Sequence, residues 1–328
     1  MKTIETTYRI VTPMFIGGAD QDPSDGIRPP SFKGALRFWW RALHWGNFLQ
    51  KENNNEEAAL KALHQKEGEL FGRAAKMVGG EQVGGQGCFL LTISKQPNMS
   101  DLVSDWPKAN TGAGYLAYGI LENKGGKSGK ATSHKKGIKE GSNFTVQLVF
   151  KNNAEHKDIE SIEKALEVLG LLGALGSRGS RRGMGSISLL KDGKLMSMKS
   201  YKNKLTELFS TQDAVAPYTT ISRGCSYQLE REYADARKAL DAVGKKYKDH
   251  RKEIVKDEHK RIPFGLPLPE VEDKLRRSSP MLIHVQATSD QLFVPVVVFM
   301  PSKQFHPNTK YQSTSFVEVK RFVEEASV

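Results

Sequence analysis

A chain of 328 residues exceeds the usual span of one domain, and a length of about 100–200 residues per domain predicts two. Lysine and arginine outnumber aspartate and glutamate 49 to 37, giving a formal charge of +12 and a pI near 9.5. That is the balance of a protein whose partner is a polyanion, nucleic acid before an acidic membrane surface. Apolar residues make up 38% and aromatics 9%, which excludes a disordered chain, while the mean hydropathy of -0.49 predicts some exposed or mobile polar loops. No apolar run approaches the roughly 20 residues of a spanning helix, and "MKTIETTYRI" lacks a signal peptide's apolar stretch. A cytoplasmic protein with no membrane partner is expected.

Taken in chain order, "TIETTYRIVT" alternates and predicts a strand over 3–12, closed by Pro13. After a loop rich in glycine, aspartate and proline, "SFKGALRFWWRALHW" predicts a helix from about Ser31, with that serine as N-cap. A second helix follows over 56–71, then a strand over 87–94. "YLAYGIL" predicts a shorter strand, and the lysine- and glycine-rich stretch 122–141 predicts a mobile basic loop. A strand over 143–151, a helix over 158–175 and a strand at "SISLL" complete the first half. The order strand, helix, strand, strand, helix, strand is the ferredoxin-like β-α-β-β-α-β unit, with insertions after the first helix and between the middle strands.

In the second half, strands are expected near 218–229, 281–288 and 292–300, a highly charged helix over 233–255 and a last helix over 314–326. This fits a degenerate second unit whose closing strand is missing. The fold class is therefore α+β, two ferredoxin-like (RRM-like) domains in tandem, spanning 1–190 and 191–328. Cys88 and Cys225 stand far apart in strand-like surroundings and read as reduced, buried small hydrophobes.

On the opening helix, at about 100° per residue, Lys33, Arg37, Arg41 and His44 fall on one stripe, and Leu36, Trp39 and Leu43 on a face that packs on a sheet. Trp40 sits where the two meet, a candidate stacking platform for an unstacked base. The bland reading is a packed aromatic face beside a solvated charged one. The run "LGSRGSRRGMGS", 175–186, is the second signal. Its four glycines leave backbone amides open while Arg178, Arg181 and Arg182 offer guanidinium forks to phosphate oxygens. It follows a helix and precedes a strand, the reverse of a dinucleotide fingerprint.

"GKS" at 126–128 lacks the first glycine of a phosphate loop, since position 121 is Leu121. "DQDPSDG" has the wrong spacing for a calcium loop, so no metal and no cofactor are expected. The histidines are scattered. His44 beside the basic stripe is the one candidate acid or base for RNA cleavage, though a helical histidine among arginines more often binds or packs.

The segments "TPMFIGGAD", "SFKGALRFWWRAL" and "LGALGSRGSRRGMGSISL" resemble the RAMP (repeat-associated mysterious protein) superfamily, and within it the first-subunit family of the type III-B CRISPR (Cmr) effector. The likeness is strong over about 1–190, and "RRSSPMLIHV" resembles the family's later strand entry. The resemblance implies tandem ferredoxin-like domains, a glycine-rich loop at 176–185 that faces RNA, and cleavage left to other subunits. It implies a non-catalytic RNA-binding subunit touching the 3′ part of the guide crRNA and helping to capture target single-stranded RNA, among other Cmr subunits. The expected RNA contacts are Lys33, Arg37, Trp40, Arg41, His44, Ser177, Arg178, Gly179, Arg181, Arg182 and Gly183, with no catalytic residue. The alternatives are a metal-independent RAMP endoribonuclease acting on precursor crRNA, and an assembly piece docked through its charged helix.

Overall fold

In the computed structural model, residues 2–18, 22–79, 81–98, 100, 102–122, 132–133, 135–176, 180–268 and 271–325 are described. The alternation of the first residues sends Tyr8 and Ile10 inward from strand β1 (Thr3–Ile10). Helix α1 (Pro29–Lys51) then starts two residues before Ser31, with prolines at its first positions and Arg28 as an N-cap whose side chain does not cap the helix but donates to the Gly17 carbonyl (3.1 Å). Helix α2 (Glu56–Phe71) has the bounds its sequence predicts, because Asn55 caps it and Gly72 ends it at positive φ.

A hairpin of β2 (Arg73–Val78) and β3 (Glu81–Gly85) precedes β4 (Phe89–Lys95) and the short β5 (Leu102–Val103). "YLAYGIL" is not a strand. Thr111 caps helix α3 (Gly112–Leu116), which packs on a later helix so closely that a Cβ on Gly112 would overlap the backbone of Asp241 and Gly244. Of the expected basic loop, 123–131 and 134 lie outside the described residues. Its flanks pair as β6 (Leu121–Glu122) with β7 (Thr132–Ser133), and β8 (Gly137–Ile138) with β5.

Strand β9 (Asn143–Phe150), helix α4 (His156–Leu172) and strand β10 (Ile187–Leu190) complete an antiparallel sheet of order β10-β1-β9-β4. Numbered along the chain, its strands lie fourth, first, third, second, with one helical crossover between the first pair and one between the last. Phe32, Leu36 and Trp39 of α1 and Ile162, Leu166 and Leu169 of α4 bury against Tyr8, Phe144, Val146 and Leu148 of the sheet.

Helix α5 (Met198–Phe209), which the sequence reading did not anticipate, is anchored by Tyr201 and Leu205, its two buried residues. The residues before β11 (Ser226–Leu229) do not form a strand, because Ile221 gives its amide to Ala42 of α1 (3.0 Å) and the stretch runs along that helix. Then come α6 (Ala236–Glu253), α7 (Glu258–Arg261), a hairpin of β12 (Leu266–Leu268) and β13 (Glu272–Arg277), strands β14 (Met281–Ser289) and β15 (Leu292–Phe299), and α8 (Val317–Glu325). The second sheet has the order β11-β15-β14. With α6 and α8 it reads β-α-β-β-α, and no fourth strand joins it among the described residues. Both faces of β14 and β15 are covered. Leu282, Val296 and Val298 join the first core, while Ile283, Val285 and Val297 pack with Leu240 and Val243 of α6 and Val319 and Val323 of α8.

The two sheets meet edge to edge. The buried hydroxyls of Ser186 and Ser188, beside and on β10, accept the β14 amides of Val285 (3.1 Å) and Ala287 (3.0 Å). Ahead of them Ile283 donates its amide to the Arg181 carbonyl (3.0 Å). At this seam His284 lies fully buried between the Gly173 carbonyl (3.1 Å) and the Gln286 side-chain oxygen (3.3 Å).

Burial holds the His284 pKa down to about 4, against 6.5 for a free imidazole. Between those values the unfolded chain binds a proton that the folded chain refuses. The contribution is present above pH 6.5 and is lost as the pH falls toward 4, by up to about 3 kcal/mol. In urea titrations from pH 7 to 4.5, the wild type should lose that much more stability than His284→Gln; equal slopes would remove His284 as the cause.

Cys88 and Cys225 are free and only half-buried, and burial pushes each thiol up to about 11. No helix among the described residues is long and apolar enough to cross a membrane.

Candidate nucleic-acid interface

Lys33, Arg37 and Arg41 recur every fourth residue of α1, so the helix presents them as one stripe, and that stripe faces α2. Glu67 of α2, 4% exposed, takes both guanidinium groups on one oxygen, at 2.7 Å from Arg37 Nε and 2.8 Å from Arg41 Nη1. Arg37 also donates to the Gly72 carbonyl (3.3 Å) and lies 5.6 Å from the Phe71 ring. Lys33 Nζ lies 5.3 Å from the Phe89 ring, where burial and then Arg37 lower its pKa. The stripe thus sets three cations against one carboxylate, and about a third of each arginine side chain stays exposed (33% and 37%).

Trp40 is not a stacking platform. It is 1% exposed, donates Nε1–H to Ser161 Oγ (3.1 Å), and meets Phe48 and Phe71 edge-on. The helix has packing partners on two sides, α4 and α2, so the buried face is wider than the sheet-facing stripe alone. His44 stacks on that indole (4.8 Å, 18°) and gives Nδ1–H to the Trp40 carbonyl (2.7 Å). Burial lowers its pKa, so it is neutral at pH 7 and adds no charge to the stripe.

Of the glycine-arginine run, Ser177, Arg178 and Gly179 lie outside the described residues. The part that is described turns inward. Arg181 lies over the Phe38 ring (5.3 Å) and donates Nη2–H to the Ser279 carbonyl (2.8 Å). Burial and the neighbouring Arg277 bring its pKa down to about 10. Arg182 reaches the Leu116 carbonyl (3.5 Å) and its backbone bridges to Ile283. Gly183, at φ +84°, accepts at its carbonyl from Thr12 Oγ1 (2.6 Å) and Ser186 Oγ (3.0 Å). The run therefore meets α1 at Phe38, while the cationic stripe lies on the α2 side of the same helix.

The sequence reading passed over Arg277 as a site residue. Its Nε donates to the Phe305 carbonyl (2.7 Å), and Nη2 to Ser302 Oγ (2.9 Å) and Thr219 Oγ1 (3.3 Å). The signal lay in "RRSSP", an arginine pair at the mouth of a strand. Among the described residues Arg181, Arg182 and Arg277 have no carboxylate within ion-pair distance, and no cluster of three metal-ligating side chains occurs.

By class this is an α+β chain whose four-stranded and three-stranded antiparallel sheets join at a seam where arginines outnumber acids. A family model described as the RAMP superfamily matches residues 7–188, more than half of the chain, and the chain belongs to that superfamily. No curated protein matches it by sequence. Among solved structures it is similar to apo Cmr1 from Pyrococcus furiosus, at 22% identity and a TM-score of 0.61, over 99% of this chain and 97% of that one. A chain of the type III-B Cmr-β complex bound to cognate target RNA matches at 11% identity and a TM-score of 0.56, over 98% of both chains. A further Cmr-β structure, with target RNA, AMPPnP and single-stranded DNA, matches at 12% and 0.56, over 98% of this chain and 97% of that one. The resemblance noted in the sequence is thus borne out at the level of family and fold.

Proposed function

We propose that this chain is a non-catalytic, RNA-binding subunit of a cytoplasmic type III-B CRISPR (Cmr) effector. In this reading it touches the 3′ part of the guide crRNA and the target strand paired to it, and docks on other subunits of the complex. Two ferredoxin-like units, dividing near residue 190, carry the binding surfaces. The observation that carries the reading is the α1 stripe, where Lys33, Arg37 and Arg41 outweigh Glu67 and remain partly exposed. Support comes from the superfamily membership and from the match along 98% of the chain to a protein whose complex holds target RNA. Sequence choice falls to base pairing by the guide, and the protein holds backbone.

Such backbone binding is electrostatic. Affinity for a labelled single-stranded RNA should fall with salt at a log–log slope of roughly -0.7 per phosphate neutralised. A flat dependence would overturn the reading. The same RNA should stay intact in EDTA; metal-independent cleavage would move the assignment to a RAMP endoribonuclease. His44 does not favour that reading, since its ring is stacked on the buried Trp40 indole and its Nδ1–H is held by a carbonyl.

A further inference from the structure

Strand β10, with four residues, is half the length of β1, the strand it pairs with. It covers Thr7–Ile10, so Thr3–Thr6 have β9 on one side and no strand on the other. The cause is local. Asp192 and Gly193 both hold positive φ, at 50° and 75°, and Lys191 and Lys194 each donate an amide to the other's carbonyl (2.9 Å each). The chain therefore reverses in a tight turn where it would otherwise run beside Glu5.

Register determines which groups are left over. Residues along a strand direct their amide and carbonyl to one edge and the other in turn. Lys2 bonds to Phe150 and Ile10 to Gly141 and Ser142, all on the β9 side, whereas Val11 bonds to Ser186 on the β10 side. The odd-numbered residues of β1 thus face β10, and Thr3 and Glu5 present their amides and carbonyls to the gap. Both residues are exposed, and neither backbone has a partner on that side among the described residues.

The gap is a pocket of about 270 Å3, with Ile4, Leu189 and Leu166 of α4 as its apolar lining. Acids stand around it on a chain whose formal charge is +12. Two of them are spoken for, Glu163 by Lys2 (3.2 Å) and Glu167 by Lys164 and Lys204 (2.9 Å each). Glu5 and Asp192 are exposed and have no cation within ion-pair distance among the described residues. An extended backbone satisfies an open strand edge, and the two unpaired acids favour a cation and repel RNA. We propose that this gap is a docking slot for an extended segment of a partner protein, about four residues long, that continues the line of β10 beside Thr3–Thr6. Its backbone pairs with Thr3 and Glu5. Its side chains alternate, apolar toward Leu166 and basic toward Glu5 and Asp192, because residues opposite each other in a sheet share a face. The slot has no residue in common with the α1 stripe or the glycine-rich loop, and the inference does not rest on RNA binding.

Fluorescence anisotropy with the full chain tests this, using a labelled, end-capped octapeptide that alternates valine and lysine. The wild type should bind it saturably below about 1 mM, and should bind the counterpart that alternates valine and glutamate about threefold or more weakly at low salt. N-methylation of one alternate set of peptide amides should abolish binding while methylation of the other set leaves it, since a strand pairs through one edge. Glu5→Pro removes the amide that faces the gap and no bond within the sheet, so the variant should fold and bind the lysine peptide about tenfold or more weakly. Glu5→Gln with Asp192→Asn keeps the backbone, serves if the proline variant does not fold, and should erase the preference for lysine over glutamate. No saturable binding by the wild type, equal loss from both methylated sets, or full binding by Glu5→Pro would overturn the slot. A concentration-dependent dimer in sedimentation that Glu5→Pro abolishes would also overturn it, because the occupant would then be a second copy of this chain. RNA affinity should be the same in Glu5→Pro and the wild type, so a failure of the slot and a failure of the RNA reading are read separately.

Discussion

Trp40→Ala is expected to lower the unfolding free energy by about 3–5 kcal/mol, the usual cost of truncating a fully buried aromatic. The indole fills the space between α1, α2 and α4, stacks on His44, and satisfies Ser161. Alanine would leave a cavity bounded by Phe48 and Phe71, and helix backbones do not collapse into such a space. RNA affinity of the folded fraction should stay within about twofold, because no face of the ring reaches solvent. Urea midpoints alongside RNA titrations separate the two roles. A tenfold loss of affinity with an unchanged midpoint would restore Trp40 as a base-stacking residue.

What was legible in the sequence followed from local signals. The bounds of α2 are set by Asn55 and Gly72, and β1, β4 and β9 by alternation and their flanking turns. Long apolar runs marked β14 and β15 because both faces of each are covered. Outcomes that depend on distant packing were not legible. Trp40 is buried because α2 closes the side that a one-faced helix would leave open. Arg181 turns inward because its partner, Ser279, lies 98 residues along the chain. Glu67 gave no sign that it would hold two arginines of another helix, and helix α3 depends on glycines at 112 and 244 meeting across 132 residues. Helix α5 escaped notice because it buries only two side chains, too few for a clear period. Composition and charge pointed to a polyanion partner, but which cations are spoken for by acids is a property of the fold.

The same distinction decides how the glycine-rich loop should respond to substitution. Gly185 and Gly193 both hold positive φ, at +70° and +75°, so alanine costs about 1–2 kcal/mol of backbone strain at either. They differ in surroundings. A Cβ on Gly193 would meet nothing, whereas one on Gly185 would overlap the Leu175 carbonyl oxygen and press on Met14. That carbonyl has no freedom to retreat, because Leu175 donates its own amide to Gly185 (2.9 Å) and Gly185 donates to Pro13 (2.9 Å). Overpacking against backbone adds about 1–3 kcal/mol, so Gly185→Ala should cost about 2–5 kcal/mol in urea unfolding and Gly193→Ala no more than about 2. The displaced turn carries Arg182 and its bridge to Ile283, so RNA affinity should drop for Gly185→Ala and hold for Gly193→Ala. Equal costs at the two positions would mean that the loop is not locked between the first strand and β14. An unequal cost with unchanged RNA affinity would make its glycines purely structural, and leave RNA binding to the α1 stripe alone.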